Sequence, residues 1–239
     1  MSRALTEYRY EKLTWPEIND AVEASQVCVI PCGAVEQHGP HLPLGCDTLI
    51  VEHLADDLSA EFGILRAPTV EYGVNTVTRR AWPGNAAVRR KTLHRWMNDL
   101  LGTWEAGGVD AFVILTAHGH DPHQEALSTL RTRTARVFTV DVLSMDFTEL
   151  LDDPAGPVHG GELDTSLLLH LAPDTVRMEL AQDFASPPPR FRGTGRVTIP
   201  AQGPGSLGRP SLATAAKGER IYNMIRERIA TRVLGREAP

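Results

Sequence analysis

Two rhythms of apolar residues alternate along the chain. Short apolar runs carrying β-branched residues occur at 27–32, 64–70, 111–115 and 137–143, each with the length of a buried strand. Between them the apolar positions recur every three or four residues. Ile50, Leu54, Leu58 and Phe62 share one face of a helix predicted over 48–62, with Thr48 as its cap. Leu93, Trp96, Met97, Leu100, Leu101 and Trp104 form the stripe of a second helix over 92–105, which Gly107-Gly108 ends. That whole stripe, tryptophans included, is expected to face the core.

Further helices are predicted over 123–133, 162–171 and 213–234, the last from Ile221, Met224, Ile225, Ile229 and Val233. Strand followed by helix, repeated, predicts an α/β fold: a mainly parallel sheet between layers of helices. Residues 186–210, with Pro187-Pro188-Pro189, read as an irregular crossing segment. No internal repeat or linker divides the 239 residues, so one domain is expected.

Composition is that of a globular protein, 42% hydrophobic and 23% charged. A net charge of −6 argues against nucleic acid as a partner, because phosphate binding needs a concentrated basic face. The pairs Arg79-Arg80 and Arg89-Arg90 are the nearest to one and read as solvated surface. No apolar stretch is long enough to cross a bilayer, and residues 1–13 lack the apolar centre of a signal peptide, so a cytoplasmic protein is expected. Cys28, Cys32 and Cys46 make an odd number without secretory context and are expected to be reduced, partly buried thiols. Cys46 adjoins Asp47, but a ligand role for it is disfavoured where oxygen and nitrogen donors abound.

Those donors lie in three clusters. Glu36-Gln37-His38-Gly39-Pro40-His41-Leu42-Pro43-Leu44-Gly45-Cys46-Asp47 follows the first strand, on a segment too rich in Gly and Pro for regular structure. His118-Gly119-His120-Asp121 follows the third strand, and His159-Gly160-Gly161-Glu162 opens a helix. Carboxylates mixed with imidazoles are the donor set of hard and borderline divalent metals. Glu36 and His118 both lie just past their strands, on the rim of a parallel sheet where ligands bind. Each cluster alone has an ordinary explanation; together they predict a metal-dependent hydrolase.

The first of these stretches resembles the signature of the creatininase family of amidohydrolases. Trp82-Pro83-Gly84-Asn85 is similar to that family's Phe-Pro-Gly-Thr-like turn, and Thr116-Ala117-His118 to its Asn-Gly-His. His159-Gly160-Gly161-Glu162-Leu163-Asp164-Thr165-Ser166 is similar to its Gly-His-x-Gly-Glu-x-x-Thr-Ser, and residues 208–218 to its closing stretch. The resemblance implies a creatininase-like three-layer α/β/α fold, a small-molecule substrate, a homo-oligomer that is often a hexamer, and two divalent metal ions; mixed carboxylate and imidazole donors suit zinc, manganese or iron about equally. Carried over by position, it implies that Glu36, Asp47 and His118 hold one metal. His38, the shared Asp47 and Glu162 hold the other. The pair would activate a water for attack. His159 is the implied acid/base, or else an orienter of Glu162. His41 either lines the pocket or shapes its own loop.

The chain departs from the family pattern in the second cluster. His120 stands where creatininase itself has a metal-binding Glu, so it is either a ligand in that carboxylate's place or a substrate contact. Creatinine-processing members close tryptophans over the ring near the third motif; between Ser144 and Ser166 there is none, which argues against creatinine. Arg79 and Arg80, just before Trp82, are candidate grips for an anionic or polyhydroxylated substrate. The leading expectation is hydrolysis of a C–N bond in a small cyclic amide, formamide or related amide. The rivals are a mycofactocin-type peptidase, a hydrolase of a cyclic ketone from inositol breakdown, and a scaffold without turnover.

Overall fold

A computed structural model describes residues 7–75, 82–185, 199–200 and 202–235. Four strands, β1 (Val27–Pro31), β2 (Leu65–Arg66), β3 (Ala111–Thr116) and β4 (Arg136–Asp141), form a sheet in the order β2-β1-β3-β4, every pair parallel. Successive residues of the central strands face opposite sides, as the pleat requires. Val29, Val113 and Leu115 enter one apolar cluster with helices α2 (Cys46–Phe62), α5 (Glu162–Leu171) and α6 (Ala215–Arg232). Cys28, Ile30, Phe112 and Ile114 enter a second, against α1 (Trp15–Ala24), α3 (Arg90–Ala106) and α4 (Asp121–Ser128). The chain is therefore α/β/α in three layers, with a buried parallel sheet.

That arrangement fixes where a ligand can bind. After β1 the chain turns to α2 on one face, and after neighbouring β3 it turns to α4 on the other. The crevice between the carboxyl ends of β1 and β3 is thus the topological switch point of the sheet. The loops that leave these strands are the ones carrying Glu36, His38 and His118.

Several expectations shift. The predicted 64–70 strand is only Leu65–Arg66, with an isolated bridge from Cys32 to Val70; Pro68 lacks a ladder donor. α4 begins two residues earlier than expected and ends at Ser128, with Pro122 in its first turn and Leu130 turned into the core. Trp96 does not join the core stripe of α3: it is 44% exposed, while Leu93, Met97 and Leu101 are fully buried. Trp104 does pack inward, against Tyr10 and Phe112. Helix α1 was not expected at all, although Thr14 and Glu17 start it as a capping pair, with the Thr14 N–H and hydroxyl both donating to Glu17 Oε2 at 2.8 and 2.7 Å. The three cysteines are wholly buried free thiols; burial pushes Cys28 and Cys32 up to about 12. None of the described helices is long and apolar enough to cross a membrane.

Candidate metal centre

The segment after β1 cannot continue as strand, because Gly33 lies against Thr48 of α2 and Gly39 has φ +83°. It folds instead into a loop whose Glu36 N–H donates to Leu44 O and whose Gln37 N–H donates to Asn85 Oδ1. Gln37 locks three segments: its carboxamide donates to Gly205 O at 2.8 Å and accepts from Gly39 N–H. The sequence motif supplied Gln37 and Asn85 but gave no sign of this clamp, whose partners lie far along the chain. Asp47 projects from the first turn of α2, and His118 from the second residue past β3.

These side chains converge in a buried ring. His38 Nε2 lies 3.1 Å from Asp47 Oδ1, and His118 Nδ1 lies 3.2 Å from Asp47 Oδ2 and 3.4 Å from Glu36 Oε1. His159 Nδ1 lies 3.4 Å from the same Glu36 oxygen, and its ring sits 4.2 Å from that of His38. Glu36, His38, Asp47 and His118 are all less than 5% exposed. Donor atoms of Glu36, Asp47 and His118 fall within 4.8 Å of one another, as do those of Glu36, His38 and His159.

The backbone decides which imidazole nitrogens face inward. His118 Nε2 is 3.0 Å from Val74 O, His38 Nδ1 is 3.2 Å from Glu36 O, and His159 Nε2 is 2.6 Å from Gln37 O. A carbonyl only accepts, so Nε2 of His118 and Nδ1 of His38 carry the hydrogen, and the other nitrogen of each of these two rings is left to face the carboxylates. This is how ligating histidines are held by outer partners.

Two buried carboxylates need positive charge beside them. Burial alone would discharge His38, but Asp47 outweighs it and pushes His38 up to about 9. Burial likewise opposes charge on His118, yet Glu36 and Asp47 lift it well above the ordinary imidazole value. The same imidazoles hold Glu36 and Asp47 below the usual carboxylate range against the effect of burial. Even so, Glu36 Oε2 and Asp47 Oδ2 are buried without a hydrogen bond. Orphaned carboxylate oxygens beside inward-facing imidazole nitrogens are the donor set a divalent cation takes, so the residues fit a metal.

The other expected site residues are placed differently. Glu162 is fully buried, but its oxygens accept from Asp152 N–H at 2.9 Å and Asp153 N–H at 2.7 Å, and Lys217 Nζ of α6 is paired with it. These three donors hold the carboxylate implied as a ligand against the loop before α5 and the third residue of α6. The pairing with Lys217 spans 55 residues, beyond any local signal. His120 Nδ1 reaches Val74 O at 2.8 Å beside His118, and its donors do not join the converging groups. His41 is fully buried, with Nε2 2.9 Å from Thr165 Oγ1, so it ties its loop to α5. Trp82 sits in the turn closed by Asn85 Nδ2 donating to its carbonyl at 2.9 Å. Arg79 and Arg80 lie outside the described residues.

His123 was not singled out from sequence, yet it braces the site. It accepts from Val74 N–H at Nδ1 (3.2 Å), and its Nε2 lies 3.1 Å from Thr116 Oγ1. Burial pushes it down to about 3 from an ordinary 6.5. The unfolded chain therefore binds a proton that the native protein refuses. The stability from neutral His123 is complete above pH 6.5 and is lost as pH falls toward 3, at about 1.4 kcal/mol per pH unit. Urea midpoints measured from pH 7 to 4 should fall more steeply for the wild type than for His123→Gln. Equal slopes would refute this.

A three-layer α/β/α protein with this cluster at its switch point has the makeup of a metallohydrolase. The Creatininase model, described as creatinine amidohydrolase, matches residues 11–233. The mycofactocin precursor peptide peptidase of Mycolicibacterium smegmatis is 31% identical over 209 residues, 81% of this chain and 78% of that protein. The creatinine amidohydrolase of Pseudomonas putida is 28% identical over 92% of this chain and 93% of its own. A solved manganese creatininase superposes with a TM-score of 0.75 at 26% identity, covering 94% of this chain and 96% of that one. The chain belongs to the creatininase family of metal-dependent amidohydrolases.

Proposed function

We propose that the protein hydrolyses a C–N bond in a small amide, cyclic amide or formamide, with a divalent cation held by Glu36, Asp47 and His118. The observation that carries this reading is the pair of orphaned oxygens, Glu36 Oε2 and Asp47 Oδ2, facing backbone-anchored imidazoles in a buried ring. Zinc, manganese and iron all accept such mixed donors. Bound there, a divalent cation would polarise a carbonyl and make water acidic enough to attack near neutral pH.

The chain's own part is preorganisation. Val74 O and Glu36 O fix the imidazoles of His118 and His38 before any ligand arrives, so little ordering remains. Helix α2 presents Asp47 in its first turn, where the peptide dipoles favour a carboxylate. Gln37 holds the 82–85 turn and the 205–208 segment against the ligand loop, which keeps water away from its buried face.

A second reading, cleavage of a peptide amide, is favoured by the 31% identity to the peptidase. The chemistry at the cation is the same and only the pocket differs. The test is chelation, dialysis and re-addition of zinc or manganese, followed by assays on lactams, formamides, short peptides and cyclic ketones. Restored hydrolysis of small amides supports the first reading, and peptides alone the second. A ketone-only result, or a protein that takes up no metal, would overturn both.

A further inference from the structure

We propose that His123 is a positioning residue for His118, holding the ring and the backbone of that ligand in place without touching the cation. This rests on the metallohydrolase reading and deepens it. His123 is the third residue of α4 and is fully buried. Its Nδ1 accepts from Val74 N–H at 3.2 Å, so the hydrogen of the ring is on Nε2, which donates to Thr116 Oγ1 at 3.1 Å. Both arms lead back to His118. Val74 O accepts from His118 Nε2–H at 3.0 Å, and Thr116 Oγ1 accepts from His118 N–H at 3.3 Å. The two rings also meet edge-on, with centroids 4.9 Å apart and an interplanar angle of 78°, which stops the His118 ring from turning toward α4.

The Val74 arm decides which nitrogen His118 offers. Its Nδ1 faces Asp47 at 3.2 Å and Glu36 at 3.4 Å, and two carboxylates draw a hydrogen toward it. A cation needs a lone pair there instead. Val74 O keeps the hydrogen on Nε2, and it does so only while it is itself held. The peptide joining Gly73 and Val74 is pinned on both sides, by Val88 N–H donating to Gly73 O at 3.0 Å and by His123 Nδ1 accepting from Val74 N–H. Gly73 allows that approach, because a Cβ there would lie 2.9 Å from Ala34 Cβ and 3.0 Å from His123 Nδ1. Without an acceptor at position 123 the Val74 N–H is buried and unpaired, a costly state that the segment relieves by shifting, and the Val74 carbonyl moves with it. Gln124 is no substitute. Its Nε2–H donates to His118 O at 2.7 Å, which fixes the backbone and leaves the ring free to turn.

Zinc affinity, measured by competition with a chromophoric chelator on the wild type and three variants, tests this. Asparagine carries its oxygen on Cγ, where histidine carries Nδ1, so His123→Asn keeps an acceptor for Val74 N–H and gives up Thr116. His123→Gln reaches Thr116 with its terminal amide and leaves Val74 N–H without an acceptor, and His123→Leu serves neither. His123→Asn should bind zinc within about threefold of the wild type, and the other two about 10–100-fold more weakly, the loss expected when the outer partner of a ligand is removed. A His123→Gln protein at wild-type affinity, or a His123→Asn protein as weak as His123→Leu, overturns the inference while the hydrolase reading stands. A wild type that takes up no zinc fells both. The unsubstituted protein gives a readout that does not depend on how the variants fold. Nitrogen-15 NMR of its imidazoles, with zinc bound, should show His123 with its hydrogen on Nε2 and a bare Nδ1. A His123 that carries the hydrogen on Nδ1 cannot accept from Val74, and that result overturns the inference whatever the variants do.

Discussion

Asp47→Ala is expected to purify without tightly held metal and to hydrolyse its substrate at least about a thousandfold more slowly, a rise of ~4 kcal/mol in the barrier. Asp47 is the carboxylate that faces both His38, through Oδ1, and His118, through Oδ2. Removing it takes away a donor and also half of the negative charge that favours a cation there. Even outer residues that merely orient a ligand are worth roughly 10–100-fold in metal affinity, so loss of a donor should exceed that. Asp47→Asn separates charge from shape. It keeps the side chain's volume at the start of α2 and an acceptor oxygen, yet it cannot supply the charge. Metal content and rate for both variants are the measurement. An Asp47→Asn protein with wild-type metal and wild-type rate would refute the centre as described.

The parts of this centre that were legible in the sequence are those encoded locally. A loop too rich in Gly and Pro for regular structure has few reasons to carry Glu36, His38 and Asp47, and the structure does gather them. His118 was readable because an unbroken apolar strand, all six of its residues buried, delivers it to the sheet rim. Helix α5 was readable to its ends because Glu162 opens it and a leucine run fills it. Partners distant in sequence were not readable. Glu162 has the look of a ligand in its motif, and nothing near it in sequence announces its pairing with a lysine on the last helix. Trp96 fitted the helical spacing of an apolar stripe, but position on the arc, rather than periodicity, decides burial, and it lies at the stripe's edge. The anchoring of His118, His120 and His123 by the backbone of one residue, Val74, has no trace in composition or motif.

Lys217→Met is expected to lower unfolding stability by about 3 kcal/mol, because it strands a buried carboxylate without its cation. Lys217 is the third residue of α6, beneath the Thr214 cap, whose hydroxyl accepts from the Lys217 N–H at 3.2 Å. Its ammonium pairs with Glu162 and reaches Leu212 O at 2.8 Å; the contact to Asp152 Oδ2 at 2.7 Å adds little, since that side chain is 71% exposed. Glu162 keeps two backbone donors in the variant, which sets the loss toward the low end of the range for broken buried pairs. The double variant Lys217→Met with Glu162→Gln removes both charges and should recover most of the loss, giving a coupling of about 2 kcal/mol in a double-mutant cycle. Urea unfolding of the four proteins measures it. Additive effects of the two substitutions would show that the pair is not coupled, and that Glu162 is held by its backbone bonds alone.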